Sequence, residues 1–166
     1  MLERIRFLTA GESHGKGLLG IIEGLPSNIK ISETYVKQHL SRRQKGHGRG
    51  GRMKIEDDFA EFIGGVRYGE TLGGPIGLQI KNRDWENWKD VMDHNIPEKP
   101  SKPITMLRPG HADLAGLQKF GMNDIRNILE RSSARETTMR VALGSFCRKM
   151  LEDIGIEIGS RVVQIH

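Results

Sequence analysis

At 166 residues, with 26 Lys and Arg against 21 Asp and Glu, the chain carries a formal net charge of +5. That length buries one ordinary core, so a single domain or part of one is expected, and the charge excess is modest for a protein that coats nucleic acid. Its one cysteine, Cys147, rules out an intramolecular disulfide; no apolar h-region follows MLERIRF and no apolar run reaches membrane-spanning length, so a reducing, cytoplasmic setting is expected.

Residues 4–10, RIRFLTA, alternate as a strand with Ile5 and Phe7 on one face, and 18–23, LLGIIE, form a second short strand. Between them lies Gly11-Glu12-Ser13-His14-Gly15, where a histidine flanked by glycine at a strand end is free to point into a cleft or simply to sit solvated in a hairpin loop. Residues 24–28 read as a turn. Ser32 caps a helix carrying Tyr35, Val36, His39 and Leu40 and ending near Arg42. The next stretch, RRQKGHGRGGRMK from Arg42 to Lys54, holds six basic residues, four glycines, His47 and no acid. Such a run is either a solvated loop or one that closes on an anion, and guanidinium is the better partner for carboxylate and phosphate. No aromatic residue interleaves it to stack a base, which lowers an RNA-binding reading.

Residues 59–63 and 75–81 look like an antiparallel strand pair joined by a glycine-rich turn, VRYGETLGG. Residues 85–92 suggest one short helix with Trp85, Trp88 and Met92 on one side, the tryptophans reading as core or subunit-contact residues. The proline-rich stretch 97–109 should be irregular. Arg108-Pro-Gly-His111-Ala-Asp113 places a second histidine in a rigid turn opening a short helix through Leu114, Leu117 and Phe120, and Asn123 can cap another with Ile125, Ile128 and Leu129.

The strongest periodicity runs from Arg131 to Gly155. Met139, Ala142, Leu143, Phe146, Cys147, Met150, Leu151 and Ile154 mark one buried helix face, which makes Cys147 a small buried hydrophobe. Ser133 and Glu136 have the spacing of a capping box, so the helix should start there and offer N–H groups near Arg131, Ser132 and Ser133 to an anion; the competing reading is a well-capped helix with solvated arginines. Residues 154–165 alternate as a strand with a bulge near Gly159. The lone Cys147 and the widely spaced His14, His47 and His111 lack metal spacing, and no phosphate-binding glycine motif stands between a strand and a helix. The parts suit a multiply charged anionic substrate that loses or moves phosphate, with histidines as proton donors.

Four motifs, GESHG followed by GIIEGLP, RRQ.G.GRG.RM, RPGHADL and ERSSARETTMRVA, occur in the same order as in chorismate synthase, which the chain resembles over nearly its whole length. Members of that family are considerably longer, so residues 1–166 are expected to be the N-terminal portion of a single chorismate synthase domain. The resemblance implies an α+β fold, a β-α-β sandwich with helices between antiparallel sheets, and a homotetramer. It implies a lyase of aromatic amino acid biosynthesis that converts 5-enolpyruvylshikimate 3-phosphate to chorismate by 1,4-trans elimination, using reduced FMN, with NADPH as a candidate reductant. His14 is similar to the family's acid near the departing phosphate and His111 to the histidine at flavin N1. Arg43 and Arg49 match substrate-holding arginines also described for nicotinamide-nucleotide binding. Arg52 and Ser13 fall among the implied substrate contacts, and Arg131, Ser132 and Ser133 match the FMN-contacting stretch. Position 47 is His where many members have an aromatic residue, so His47 is read as a loop variant. The rival from another class is a basic, non-catalytic module for RNA or other anions.

Overall fold

A computed structural model describes residues 4–45 and 56–164. Strands β1 (Arg6–Gly11) and β2 (Gly17–Glu23) pair antiparallel around the GESHG loop, Thr9 opposite Gly20. After the short β3 (Ser27–Lys30) comes helix α1 (Glu33–Gln44), whose Ser32 side chain accepts the Tyr35 N–H as the expected N-cap. Strands β4 (Glu61–Gly64) and β7 (Ile76–Lys81) pair antiparallel, and β7 also pairs with β2, giving a sheet in the order β1-β2-β7-β4.

The glycine-rich segment between β4 and β7 is more than a turn. It contains β5 (Val66–Arg67) and β6 (Glu70–Leu72), which join β3 in a second antiparallel sheet ordered β3-β6-β5. The β3–β6 register breaks between Ser27 and Lys30, and Thr71 repairs it: the buried hydroxyl donates to the Pro26 carbonyl at 2.7 Å and accepts the Ile29 N–H at 3.0 Å.

Helix α5 (Glu136–Asp153) packs beside α1 and touches both sheets, the sandwiched-helix layering of an α+β fold. Its Met139, Ala142, Leu143 and Phe146 are buried against Leu18, Ile22, Leu78 and Ile80, with Val36 and Leu40 of α1 closing the core. The strand residues alternate, so Leu18, Gly20 and Ile22 face the helix while Leu19 and Ile21 face outward. Gly20 leaves room for the helix: a Cβ there would lie 2.5 Å from the Met139 sulfur and force that side chain to shift.

Four local expectations are corrected. Residues 154–164 form no strand, because their alternation meets no strand edge among the described residues and Ile154, Ile156, Ile158, Val162 and Val163 stay exposed. Residues 83–92 split into a 3₁₀ turn (Arg83–Asn87) and α2 (Lys89–Met92), and neither tryptophan enters the core. Asp124, not Asn123, satisfies the start of α4 (Arg126–Leu129), accepting the Arg126 N–H at 2.9 Å and the Ile104 N–H at 3.0 Å. The capping box does not close: Ser133 accepts the Arg135 N–H while Glu136 turns to Thr9 and Arg140, so α5 begins later than its polar entry suggests.

Candidate active site

Gly11, at φ 96°, ends β1 in a backbone conformation open to glycine and turns the chain into the histidine loop. One side chain holds that loop in shape. Asn82, buried just after β7, donates its amide to the carbonyls of Glu12, Ser13 and Gly15 at 3.0, 3.1 and 2.8 Å. Its own oxygen accepts Nε of Arg135 at 2.9 Å, and Arg135 then reaches Asp58 and, at 3.5 Å, Glu56. Gln44, at the end of α1, completes the cluster by donating to Asp58 at 3.1 Å and to the Glu56 carbonyl at 2.9 Å. A hydrogen-bonded chain therefore runs from the histidine loop through the entry to α5 to the residues on either side of the glycine-arginine segment.

His14 is clamped on two sides. Glu130, 1% exposed, accepts the His14 backbone N–H at 2.8 Å and faces Nδ1 with both oxygens, at 2.9 and 3.0 Å, while its own carbonyl accepts the Ser13 N–H. The imidazole stacks on Trp88 with ring centroids 3.9 Å apart, and the Arg126 guanidinium lies over the same indole. Since a carboxylate only accepts, Nδ1 carries hydrogen and Nε2 is the nitrogen directed away from Glu130.

His111 is held in the opposite sense. Its Nδ1 accepts the Ala112 N–H at 3.0 Å and faces Arg108 Nη2 at 3.0 Å, so the hydrogen of its neutral ring sits on Nε2. The turn is pinned by Asp113, the first residue of α3 (Asp113–Phe120), which accepts the Arg108 N–H, Nε and Nη2 at 2.9, 2.9 and 2.7 Å. Hydrogen bonding from Arg108 holds the Asp113 carboxyl down to about 2. The unfolded value is higher, about 3.9, so this support is present above pH 4 and is lost as pH falls through the folded value. Amide exchange at Arg108, whose N–H Asp113 accepts, should accelerate between about pH 4 and pH 2, after correction for intrinsic rates; an unchanged corrected rate would show that Asp113 does not hold the turn.

His111 lines an open cleft of about 940 Å³ together with Arg131, Ser132 and Ser133. Its lining mixes apolar Ala115, Phe120, Met122 and Ile128 with Lys119, Asn127, Thr137 and Arg140 and the carboxylates of Glu12 and Glu136. Gly116 of α3 lets α4 approach, since a Cβ would fall 2.4 Å from Ile128. Arg131 donates to the Thr9 and Gly11 carbonyls at 2.7 and 3.2 Å, which ties the cleft floor to β1. The Ser132 hydroxyl bonds back to the Ile128 carbonyl at 2.8 Å. Burial pushes Glu136 up, but the Thr9 hydroxyl and the Arg140 and Arg131 charges outweigh it, so its carboxyl lies below its usual range.

The sequence-selected residues thus fall into two groups that meet at Glu130–Arg131. His14 and buried Ser13 lie on one side, and His111 with the Arg131–Ser133 turn on the other. Arg43 braces the turn from behind, donating to the Ala134 carbonyl at 2.7 Å and to Thr137 at 3.1 Å, and stands 3.8 Å from Asp58. Arg49, Arg52 and His47 lie outside the described residues. Sequence reading missed Asn82, Glu130, Arg135 and Asp58, and it read Trp88 as a core or subunit-contact residue, without its stacking on His14. Burial raises the Cys147 thiol above its usual value, in keeping with a half-buried, unreactive position.

The fold is an antiparallel α+β sandwich with helices between its sheets, and its two histidine turns converge on the Glu130–Arg131 junction; among the described residues no group of three or more His, Cys, Asp or Glu is placed to hold a metal. The family model for chorismate synthase matches residues 5–166. A chorismate synthase of Aquifex aeolicus is 59% identical over 165 residues, covering 99% of this chain and 42% of its own length, and one of Sulfurihydrogenibium sp. is 58% identical over 97% and 41%. A crystal structure of chorismate synthase superposes with a TM-score of 0.71 at 45% identity, covering 95% of this chain and 37% of that one. The chain belongs to the chorismate synthase family, and it spans about two-fifths of the length of the curated relatives it matches.

Proposed function

We propose that this chain carries the histidine half of a chorismate synthase site, where 5-enolpyruvylshikimate 3-phosphate loses phosphate and a C6 hydrogen in a 1,4-trans elimination that yields chorismate. The observation that carries the reading is the junction at Glu130–Arg131: Glu130 holds the His14 loop, while Arg131 and that loop's Glu12 line the His111 cleft. His14, with Nδ1–H engaged by Glu130, presents Nε2, whose proton in the imidazolium form goes to the departing phosphate, helped by substrate-holding Arg43, Arg49, Arg52 and Ser13. The 940 Å³ cleft, whose lining combines apolar side chains with several donors, fits FMN by size and chemistry. His111 would meet the flavin with its Nε2 hydrogen, and Arg131, Ser132 and Ser133 would line it. Reduced FMN supplies an electron-rich ring that assists the elimination without net redox change. NADPH as reductant, assembly as a homotetramer and a cytoplasmic site follow from the same family reading; no helix among the described residues is long and apolar enough to cross a membrane.

The test is anaerobic turnover of 5-enolpyruvylshikimate 3-phosphate with chemically reduced FMN, following phosphate release and chorismate absorbance together. Stoichiometric phosphate and chorismate are expected. Absence of flavin binding, combined with RNA binding that weakens steeply with salt, would establish the non-catalytic alternative.

A further inference from the structure

Among the described carboxylates beside His14 and His111, Glu130 is the one within hydrogen-bond distance of a ring nitrogen; the equally buried Asp113 stands 3.6 Å from His111 and is occupied by Arg108. Glu130 sits at the end of α4, 1% exposed, and engages the histidine loop three times: through the His14 backbone N–H, through Nδ1 and, by its carbonyl, through the Ser13 N–H. Arg126 donates to its Oε1 at 3.3 Å, so the charge is compensated on its own element and the carboxylate stays an acceptor. A residue that served packing alone would not spend both oxygens on one imidazole nitrogen.

We propose that Glu130 is a positioning residue for His14: it fixes the hydrogen on Nδ1 and leaves Nε2 as the one ring nitrogen available to exchange a proton with substrate. Trp88 supports the same geometry from the side: stacking at 3.9 Å holds the ring in its plane, and a half-turn that keeps that plane would trade the Nδ1 contact for a carbon. The logic is that of a base oriented by a buried third group, where loss of the acceptor selects the wrong tautomer while the fold survives. The cleft histidine, whose Nδ1 is an acceptor, has no such carboxylate on its ring nitrogen at hydrogen-bond distance; Asp113 stands 3.6 Å away and is occupied by Arg108. This inference rests on the proposed role of His14.

The experiment combines solid-state ¹⁵N spectra of histidine-labelled holoenzyme near pH 9, where an ordinary imidazole is neutral, with a kinetic double-mutant cycle. Wild type should show His14 protonated at Nδ1, assigned by its loss in His14→Ala, and Glu130→Gln should shift that hydrogen to Nε2. Glu130→Gln should lower kcat on the order of 10²-fold with KM changed little, and it should add nothing in the His14→Ala background. Hydrogen on Nε2 in wild type, an undiminished kcat in Glu130→Gln, or additive losses in the double variant would each overturn the positioning role. The wild-type spectrum decides the tautomer even if Glu130→Gln does not fold. A fully active His14→Ala would overturn the role of His14 and this inference with it, whereas a slow His14→Ala beside an undiminished Glu130→Gln overturns this inference alone.

Discussion

Replacing His14 by Ala should lower turnover of the holoenzyme by roughly two to four powers of ten, the usual loss when a positioned acid or base is removed. At 1.36 kcal/mol per tenfold, that is about 3 to 5 kcal/mol of transition-state stabilisation. The fold should pay little of it, because the ring lies on Trp88 at the edge of the structure and has no part in the α5 core. Steady-state kinetics together with a thermal melt separate the two effects. His111→Ala should fall in the same range, with weakened flavin binding as an added mark of its place in the cleft. Wild-type turnover in either variant would remove that residue from the chemistry.

Arg135→Met should produce the largest loss of stability from a single polar change. Its guanidinium, 7% exposed, joins Asn82 and two carboxylates, Asp58 at 2% and Glu56 at 5% exposure. Removing the cation leaves both acids buried, Asp58 with Gln44 and the more distant Arg43, and Glu56 with the Arg83 backbone N–H. Breaking a buried pair from one side costs about 3 to 5 kcal/mol, a large share of the 5–15 kcal/mol typical of whole domains. For a chain of this size the melting temperature should drop by roughly 6 to 20 °C, measurable by calorimetry. A shift corresponding to less than about 1 kcal/mol would mean that water replaces the guanidinium and that the cluster is a solvated surface network.

Where a feature was set by local periodicity it was legible. The 3.6-residue spacing of Met139, Leu143 and Phe146 located α5, and Ser32 located the start of α1. The helix layer between antiparallel sheets, by contrast, came from resemblance of motifs, since periodicity does not say which strands pair. The same limit explains the miss at 154–164: alternation makes a segment able to pair, but pairing needs an edge. Glu130, Asp58 and Arg135 were invisible because a charged residue has the same letter buried or exposed, and the contacts that give them a role, Glu130 with His14 and Arg135 with Asp58, span 116 and 77 residues. Ser133 and Glu136 had the right spacing for a cap, but Thr9, Arg140 and Arg135 outcompeted it. Trp88 read as packing because a stacked tryptophan and a core tryptophan leave the same trace in sequence.

The separation of His14 from Glu130 by 116 residues also has a kinetic side. At 5–20 residues per second, a ribosome takes roughly 6 to 23 s to make the acceptor after the histidine has been joined to the nascent chain. During that interval β1 and β2 can already pair as a local hairpin, whereas the loop at its tip has no carboxylate to close on. Closing so long a loop carries an entropy cost that only the later arrival of α5 on the sheet can offset, so the active geometry is a late product of folding.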